Sequence, residues 1–151
     1  MIYADTSFLF SFYAWDEKSE AAVSTYSDDS RRPLFFTPWQ RFELRNTTRT
    51  AVQRLRRSGQ TVPFQVGNVF RLIDESLNAG RLRHDEPELR KTFRMAEELS
   101  AAYSERLGSA SIDLWHVASA IVLEADTFWT FDQEQRALAA AVGKFRRVPR
   151  L

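Results

Sequence analysis

The sequence predicts an α/β fold of three layers, with helices on both faces of a central, mostly parallel sheet of four to five strands. Three observations lead there. Short apolar stretches, Ile2-Tyr3-Ala4, Leu34-Phe35-Phe36-Thr37 and Phe128-Trp129-Thr130-Phe131, are each followed by residues that start helices. Amphipathic segments alternate with them, which is the order of a parallel sheet covered by helices. The first stretch is apolar throughout, as a strand buried on both faces must be. No repeat, low-complexity tract or long Pro/Gly linker interrupts the 151 residues, so a single domain spanning 1–151 is expected.

The elements follow in order. Ile2-Tyr3-Ala4 reads as a central strand, and Asp5-Thr6-Ser7 supplies N-cap chemistry for a helix through Phe8, Leu9 and Phe12. A second helix, about Lys18 to Tyr26, ends in the polar Ser27-Asp28-Asp29-Ser30 loop. The strand Leu34 to Thr37 leads into a helix with Pro38 at its first turn, running to about Arg57 and closed by Ser58-Gly59. Val66, Val69, Phe70, Ile73 and Leu77 place a fourth helix over about Pro63 to Asn78, and Leu82 fits a short strand. Glu88 to Leu107 is amphipathic and stops at Gly108. Ser111 is a candidate cap for the next helix, whose residues from Leu114 to Leu123 leave almost no polar face, so it is expected to be buried. A strand through Phe131, a helix from Gln133 to Val142 and a terminal strand Phe145 to Val148 complete the reading.

Composition narrows the function. With no Cys, disulfides and thiolate metal sites are excluded. No apolar run approaches the roughly 20 residues that span a bilayer, and no charged-then-apolar leader opens the chain, so a cytoplasmic protein without membrane contact is expected. The net charge of +1 hides an asymmetry. Arginines 31, 32, 41, 45, 49, 54, 56 and 57 against Glu43 alone give that segment +7, leaving −6 for the rest. Such a segment suits a polyanion, although solvated helix charge explains many runs of this kind. At 100° per residue Arg41, Arg45, Arg49 and Arg56 fall roughly opposite Glu43, whereas Arg54 and Arg57 return to its side.

Four acids stand where this fold would bring them together, beyond the carboxyl ends of the strands. Asp5 and Asp132 each follow a strand, Glu43 lies early on the third helix, and Asp113 occupies the first turn of the buried helix. Each also has an ordinary explanation, as a helix cap, a dipole partner or an ion pair with Arg41 or Arg45. Gathered together they repel, and a cation among them relieves the repulsion. Oxygen donors without Cys or a His cluster favour Mg2+ or Mn2+ over Zn2+.

The chain resembles the PIN-domain nucleases, in particular the toxins of bacterial VapBC-type toxin–antitoxin modules. The resemblance rests on Ile-Tyr-Ala-Asp5-Thr6-Ser7-Phe-Leu, on Glu43 in Trp-Gln-Arg-Phe-Glu-Leu-Arg-Asn, on Asp113-Leu-Trp-His116-Val-Ala-Ser-Ala and on Phe-Trp-Thr130-Phe-Asp132. The motifs run in order along the whole chain. The resemblance implies a metal-dependent endoribonuclease, held in check by an antitoxin protein and usually dimeric. It assigns Asp5, Asp113 and Asp132 to metal binding, with Glu43 completing the set or positioning the attacking water. Thr6 and Thr130 become hydroxyls that orient the carboxylates or the scissile phosphate, though Thr130 equally suits an ordinary strand position. His116 is expected to be a hydrogen-bonding structural residue. Asn46 and Thr50 share the Glu43 face at helical spacing, and Arg54 and Arg57 are the candidate RNA contacts near the cleft. Phe8, Phe10, Phe12, Tyr13 and Trp15 exceed the needs of one buried face, and the resemblance places a groove for the antitoxin's C-terminal segment there. A PIN fold that binds RNA or a partner without cutting is the alternative. A phosphorylated receiver domain also gathers acids at strand ends, but paired acids after the first strand and a Lys directly after a late strand are missing.

Overall fold

Among the described residues four parallel strands, in the order Leu82–His84, Leu34–Phe36, Ile2–Ala4 and Thr127–Trp129, form one sheet between two layers of helices. The computed structural model describes residues 1–29 and 33–151. Ser30, Arg31 and Arg32, which closed the expected loop and began the basic segment, lie outside the described residues. The elements are β1 (Ile2–Ala4), α1 (Thr6–Tyr13), α2 (Ser19–Asp28), β2 (Leu34–Phe36), α3 (Pro38–Arg57), α4 (Val66–Asn78), β3 (Leu82–His84), α5 (Leu89–Leu107), α6 (Ser111–Val122), β4 (Thr127–Trp129) and α7 (Gln133–Val142).

Alternation along each strand builds two cores. Ile2, Ala4, Leu34, Phe36 and Trp129 face one side and pack with Phe8, Leu9, Leu44, Val69 and Ile73 from α1, α3 and α4. Tyr3, Phe35 and Phe128 face the other and pack against Leu99, Leu114, Val117 and Leu138 from α5, α6 and α7. β1, β2 and β4 are buried along their whole length and so carry no polar face, whereas β3 at the sheet edge exposes Arg83 and His84. Each fully buried large apolar side chain here, such as Phe36 or Leu44, contributes about 1.5–3 kcal/mol.

Several boundaries differ from the sequence expectation. The terminal strand Phe145 to Val148 is not formed. Only one parallel bridge joins Arg147 to Thr127, with Phe145 and Val148 packing under α5 to α7 instead of pairing. β4 ends at Trp129, whose carbonyl accepts the Asp5 N–H at 2.9 Å, and the next residue, Thr130, donates its hydroxyl to Asp5. α4 starts at Val66, three residues after Pro63. Ser111 lies inside α6, and Ala110 takes the cap position; the Asp113 side chain accepts the Ala110 N–H that a capping side chain would leave free. Gly108 closes α5 at φ 66°, the left-handed conformation that lets the chain reverse directly into α6.

Candidate active site

Among the helices that begin at the carboxyl edge of the sheet, α1, α6 and α7 each have an acid at their start. Asp5, which caps α1, accepts the Phe8 N–H at 2.9 Å. At the head of α7, Asp132 accepts the N–H groups of Glu134 and Gln135 at 2.8 and 3.0 Å. Asp113 sits in the first turn of α6. Free N–H groups and the helix dipole favour negative charge at all three places. The fourth acid comes from α3, whose start is locked to β1. Thr37 and Gln40 form a reciprocal capping box, and Gln40 Nε2 donates to the Ala4 carbonyl at 2.6 Å. Glu43, one turn further on, therefore faces Asp5 across the edge.

Asp5, Glu43, Asp113 and Asp132 line one cleft of ≈ 390 Å³. Asp5 is 3% exposed and hydrogen-bonded by hydroxyls on both oxygens: Ser7 Oγ at 2.7 and 2.9 Å, and Thr130 Oγ1 at 2.7 Å. Burial nevertheless pushes its carboxyl above the ordinary range, outweighing His116 and these hydrogen bonds. Asp113 is also raised, first by burial and then by the charge of Asp132, against the Ala110 N–H. Glu43 has the opposite balance. Burial works to raise it, but the His116 bond and charge and the Thr6 hydroxyl bring it below its ordinary value.

His116 bridges the two sides of the sheet's first strand. Its Nε2 lies 2.7 Å from Glu43 Oε2 and its Nδ1 2.9 Å from the Tyr3 hydroxyl. A carboxylate only accepts, so Nε2 carries a proton toward Glu43, while Nδ1 faces the Tyr3 hydroxyl. Burial and the charges of Asp5 and Glu43 push the Tyr3 phenol far up, keeping it a donor. The expectation of a hydrogen-bonding His holds, and the bond it makes fixes the Glu43 carboxylate in place.

The second hydroxyl of the pattern, Thr6, donates to the same oxygen, Glu43 Oε2. Three residues of this network escaped the sequence reading. Ser7 was visible only as generic cap chemistry. Gln135 stands three after Asp132, the spacing of a capping box, yet its Nε2 goes to Asp113 Oδ1 at 3.2 Å. Its buried Oε1 has no hydrogen-bond partner among the described residues. Tyr3 looked like core alone.

On α3 the cleft-facing positions are Glu43, Thr47, Ala51 and Arg54, not Asn46 and Thr50, which are exposed away from it. Leu44 and Thr48 take the buried stripe and so rotate that pair outward. Arg54 is among the residues lining the cleft and Arg57 is not. The stripe opposite Glu43 is partly committed to packing, for the guanidinium groups of Arg45 and Arg49 lie 4.8 and 5.0 Å over the Phe70 ring of α4.

The donor set suits a hard divalent cation. The acids are all oxygen ligands, Asp113 and Asp132 repel each other, and Gln135 Oε1 is an unused buried acceptor beside them. Among the described residues no three His, Asp or Glu side chains are drawn together as tightly as a finished ligand set. Each carboxylate is instead held by its own hydroxyl, imidazole or N–H partners.

A parallel α/β sheet with acids from four elements at its carboxyl edge defines a class of acid-cleft α/β proteins. The chain belongs to the PIN domain family, whose model matches residues 2–141. Two solved structures are similar in fold. One is the Mycobacterium tuberculosis VapC20, a Sarcin-Ricin loop cleaving toxin, with TM-score 0.63, 17% identity, and coverage of 91% of this chain and 94% of that one. The other is FitAcB from Neisseria gonorrhoeae, with TM-score 0.56, 18% identity, and coverage of 93% and 94%. Comparison with curated proteins gave no match. No helix among the described residues is long and apolar enough to cross a membrane.

Proposed function

We propose that this chain is a divalent-cation-dependent endoribonuclease that acts as the toxin of a toxin–antitoxin pair in the cytoplasm. The observation that carries the reading is the meeting of four acids from four separate elements of a PIN domain in one cleft. The fold likeness to a loop-cleaving toxin supports the choice of RNA.

Asp5, Asp113, Asp132 and Glu43 would hold Mg2+ or Mn2+. Such an ion supplies acidification of water, in-line orientation and charge neutralisation at the leaving oxygen. The chain's own residues do the placing. Ser7 and Thr130 fix both oxygens of Asp5, while Thr6 and His116 fix Glu43, leaving neither free to rotate when a phosphate arrives. Glu43, ionised below its ordinary range, is suited to orient a water against the phosphorus. Arg54, at the cleft wall on α3, serves the substrate phosphates; Arg57 is at most a flanking contact. The test is cleavage of single-stranded RNA by purified, antitoxin-free protein. Cutting is expected with Mg2+ or Mn2+ and none with chelator. RNA binding without cutting under either metal would leave a binding module instead.

Two protein partners belong to the same proposal. A groove lined by Tyr13, Trp15, Val23, Phe64 and Leu72 runs between α1, α2 and α4. Phe8 and Tyr13 belong to the core, but Trp15 is 62% exposed, and this groove is the seat for an apolar antitoxin segment. The second partner is another copy of the chain. Trp39, Phe42, Leu89 and Phe93 form an exposed apolar face around Trp115, with Phe42 62% and Phe93 54% exposed. Patches of this sort on soluble proteins mark association. Light scattering of the eluting protein is expected to give a dimer for the wild type and a monomer for Phe93→Asp with an unchanged far-UV spectrum. A wild type that is monomeric at all concentrations removes the second copy.

A further inference from the structure

We infer that Phe131 and Lys18 form a seat for one unpaired nucleobase and its phosphate, beside the acids. The inference deepens the nuclease reading above and rests on it.

The Phe131 ring is tied to the acids by the backbone. It directly precedes Asp132, and its N–H donates to Ser7 Oγ at 3.0 Å, the same hydroxyl that bonds Asp5. The ring cannot swing away, because it stacks on the fully buried Phe8 with centroids 5.4 Å apart and planes at 14°. It is nonetheless only partly buried and lines the acid cleft. A half-open aromatic held rigidly next to carboxyl groups is an uncommon way to finish a core, since an aliphatic side chain would fill the volume as well. It is a common way to hold a base, because every base has a π face.

What lies over the ring is the ammonium of Lys18, 5.4 Å from the centroid, on an exposed side chain of the α1–α2 connection. Such a contact between an exposed cation and a ring is weak and readily exchanged. The cleft otherwise repels nucleic acid. Among the described residues lining it, Asp5, Asp16, Glu17, Glu43, Asp113 and Asp132 face only two permanent cations, Lys18 and Arg54. A base entering onto Phe131 takes the place of the ammonium, and the long Lys18 side chain swings to that nucleotide's phosphate. A base stacked inside a duplex offers no free face, so the seat selects single-stranded or looped RNA.

The experiment compares two single-stranded octamers with the same ribose-phosphate backbone, one bearing bases and one abasic throughout, by fluorescence anisotropy in CaCl2. Wild type is expected to bind the base-bearing probe about tenfold more tightly. Phe131→Leu keeps apolar bulk against Phe8 and is expected to bring that ratio close to one. Phe131→Tyr, which restores the π face, is expected to recover it. Lys18→Met is expected to weaken both probes alike and to reduce the slope of log affinity against log salt by about one. An unchanged ratio in Phe131→Leu, equal binding of both probes by wild type, or binding of neither overturns the seat. Cleavage in Mg2+ or Mn2+ separates the two ideas. Wild type that discriminates the probes but cuts nothing overturns the nuclease and leaves the seat; wild type that cuts while Phe131→Leu still discriminates overturns the seat alone.

Discussion

Asp5→Asn is expected to lower RNA cleavage by roughly 10³-fold while the melting temperature stays at or above the wild-type value. The loss follows from removing one charge from the proposed cation site, since a bound ion contributes several kcal/mol to lowering such a barrier, at roughly tenfold per 1.4 kcal/mol. The stability follows from burial. Asp5 is 3% exposed, and its raised pKa means that ionising it in the fold costs more than in the unfolded chain. Asn keeps an oxygen for the Phe8 N–H, so the α1 cap survives; the Thr130 hydroxyl has only to turn to accept from the new amide. Parallel melting curves and cleavage assays read both halves. A fall of more than about 5 °C, or on the order of 1–2 kcal/mol for a chain of this size, would mean that the charge itself holds the fold together.

The second large effect is stabilisation by the cation, and it should grow with pH. Asp5 and Asp113 both have raised folded pKa values. The folded chain therefore holds these protons more tightly than the unfolded chain. Without a cation their contribution to stability falls as pH rises from the ordinary carboxylate range through the raised values. Glu43 is lowered, so its contribution is complete above the ordinary range and is lost only as pH falls through its folded value. Above the ordinary carboxylate range the trend thus belongs to the two aspartates. Mn2+ at about 100 times its dissociation constant adds about 2.7 kcal/mol, or roughly 5–10 °C for a chain of this length. Since the ion must compete with those protons, the shift is expected to be small in mild acid and full near neutrality. Asp113→Asn is expected to remove most of it. A cation shift that is equal at both pH values, or that persists in Asp113→Asn, would place the ion elsewhere.

Most of the architecture was legible because the strands are buried on both faces and the helices carry strong punctuation. Pro38 with Thr37, Gly108 and the alternation around Ile73 gave α3, α5 and α4 with small errors at their ends. Phe145 to Val148 misled for a physical reason: apolar residues close to a sheet need not pair with it when α5 to α7 offer a packing surface. At the cleft, the four acids and the two Thr hydroxyls could be read from position relative to strand ends. Helical spacing on α3 could not separate Thr47 and Ala51 from Asn46 and Thr50, because both sets lie within a turn of the Glu43 face and only the burial of Leu44 and Thr48 decides the rotation. Tyr3, Ser7 and Gln135 stayed hidden because their contacts join elements far apart in sequence.

The acids at the heads of α1 and α7 have an evolutionary consequence. At a helix N-cap, Asn serves the backbone about as well as Asp, so Asp5 and Asp132 can each surrender their charge without surrendering their helix. Inheritance of the fold and inheritance of the chemistry are therefore separable by exchanging a single oxygen for an amide nitrogen. A single substitution at either cap therefore changes the charge of the cleft while keeping the rest of the molecule intact, its groove and its apolar face included.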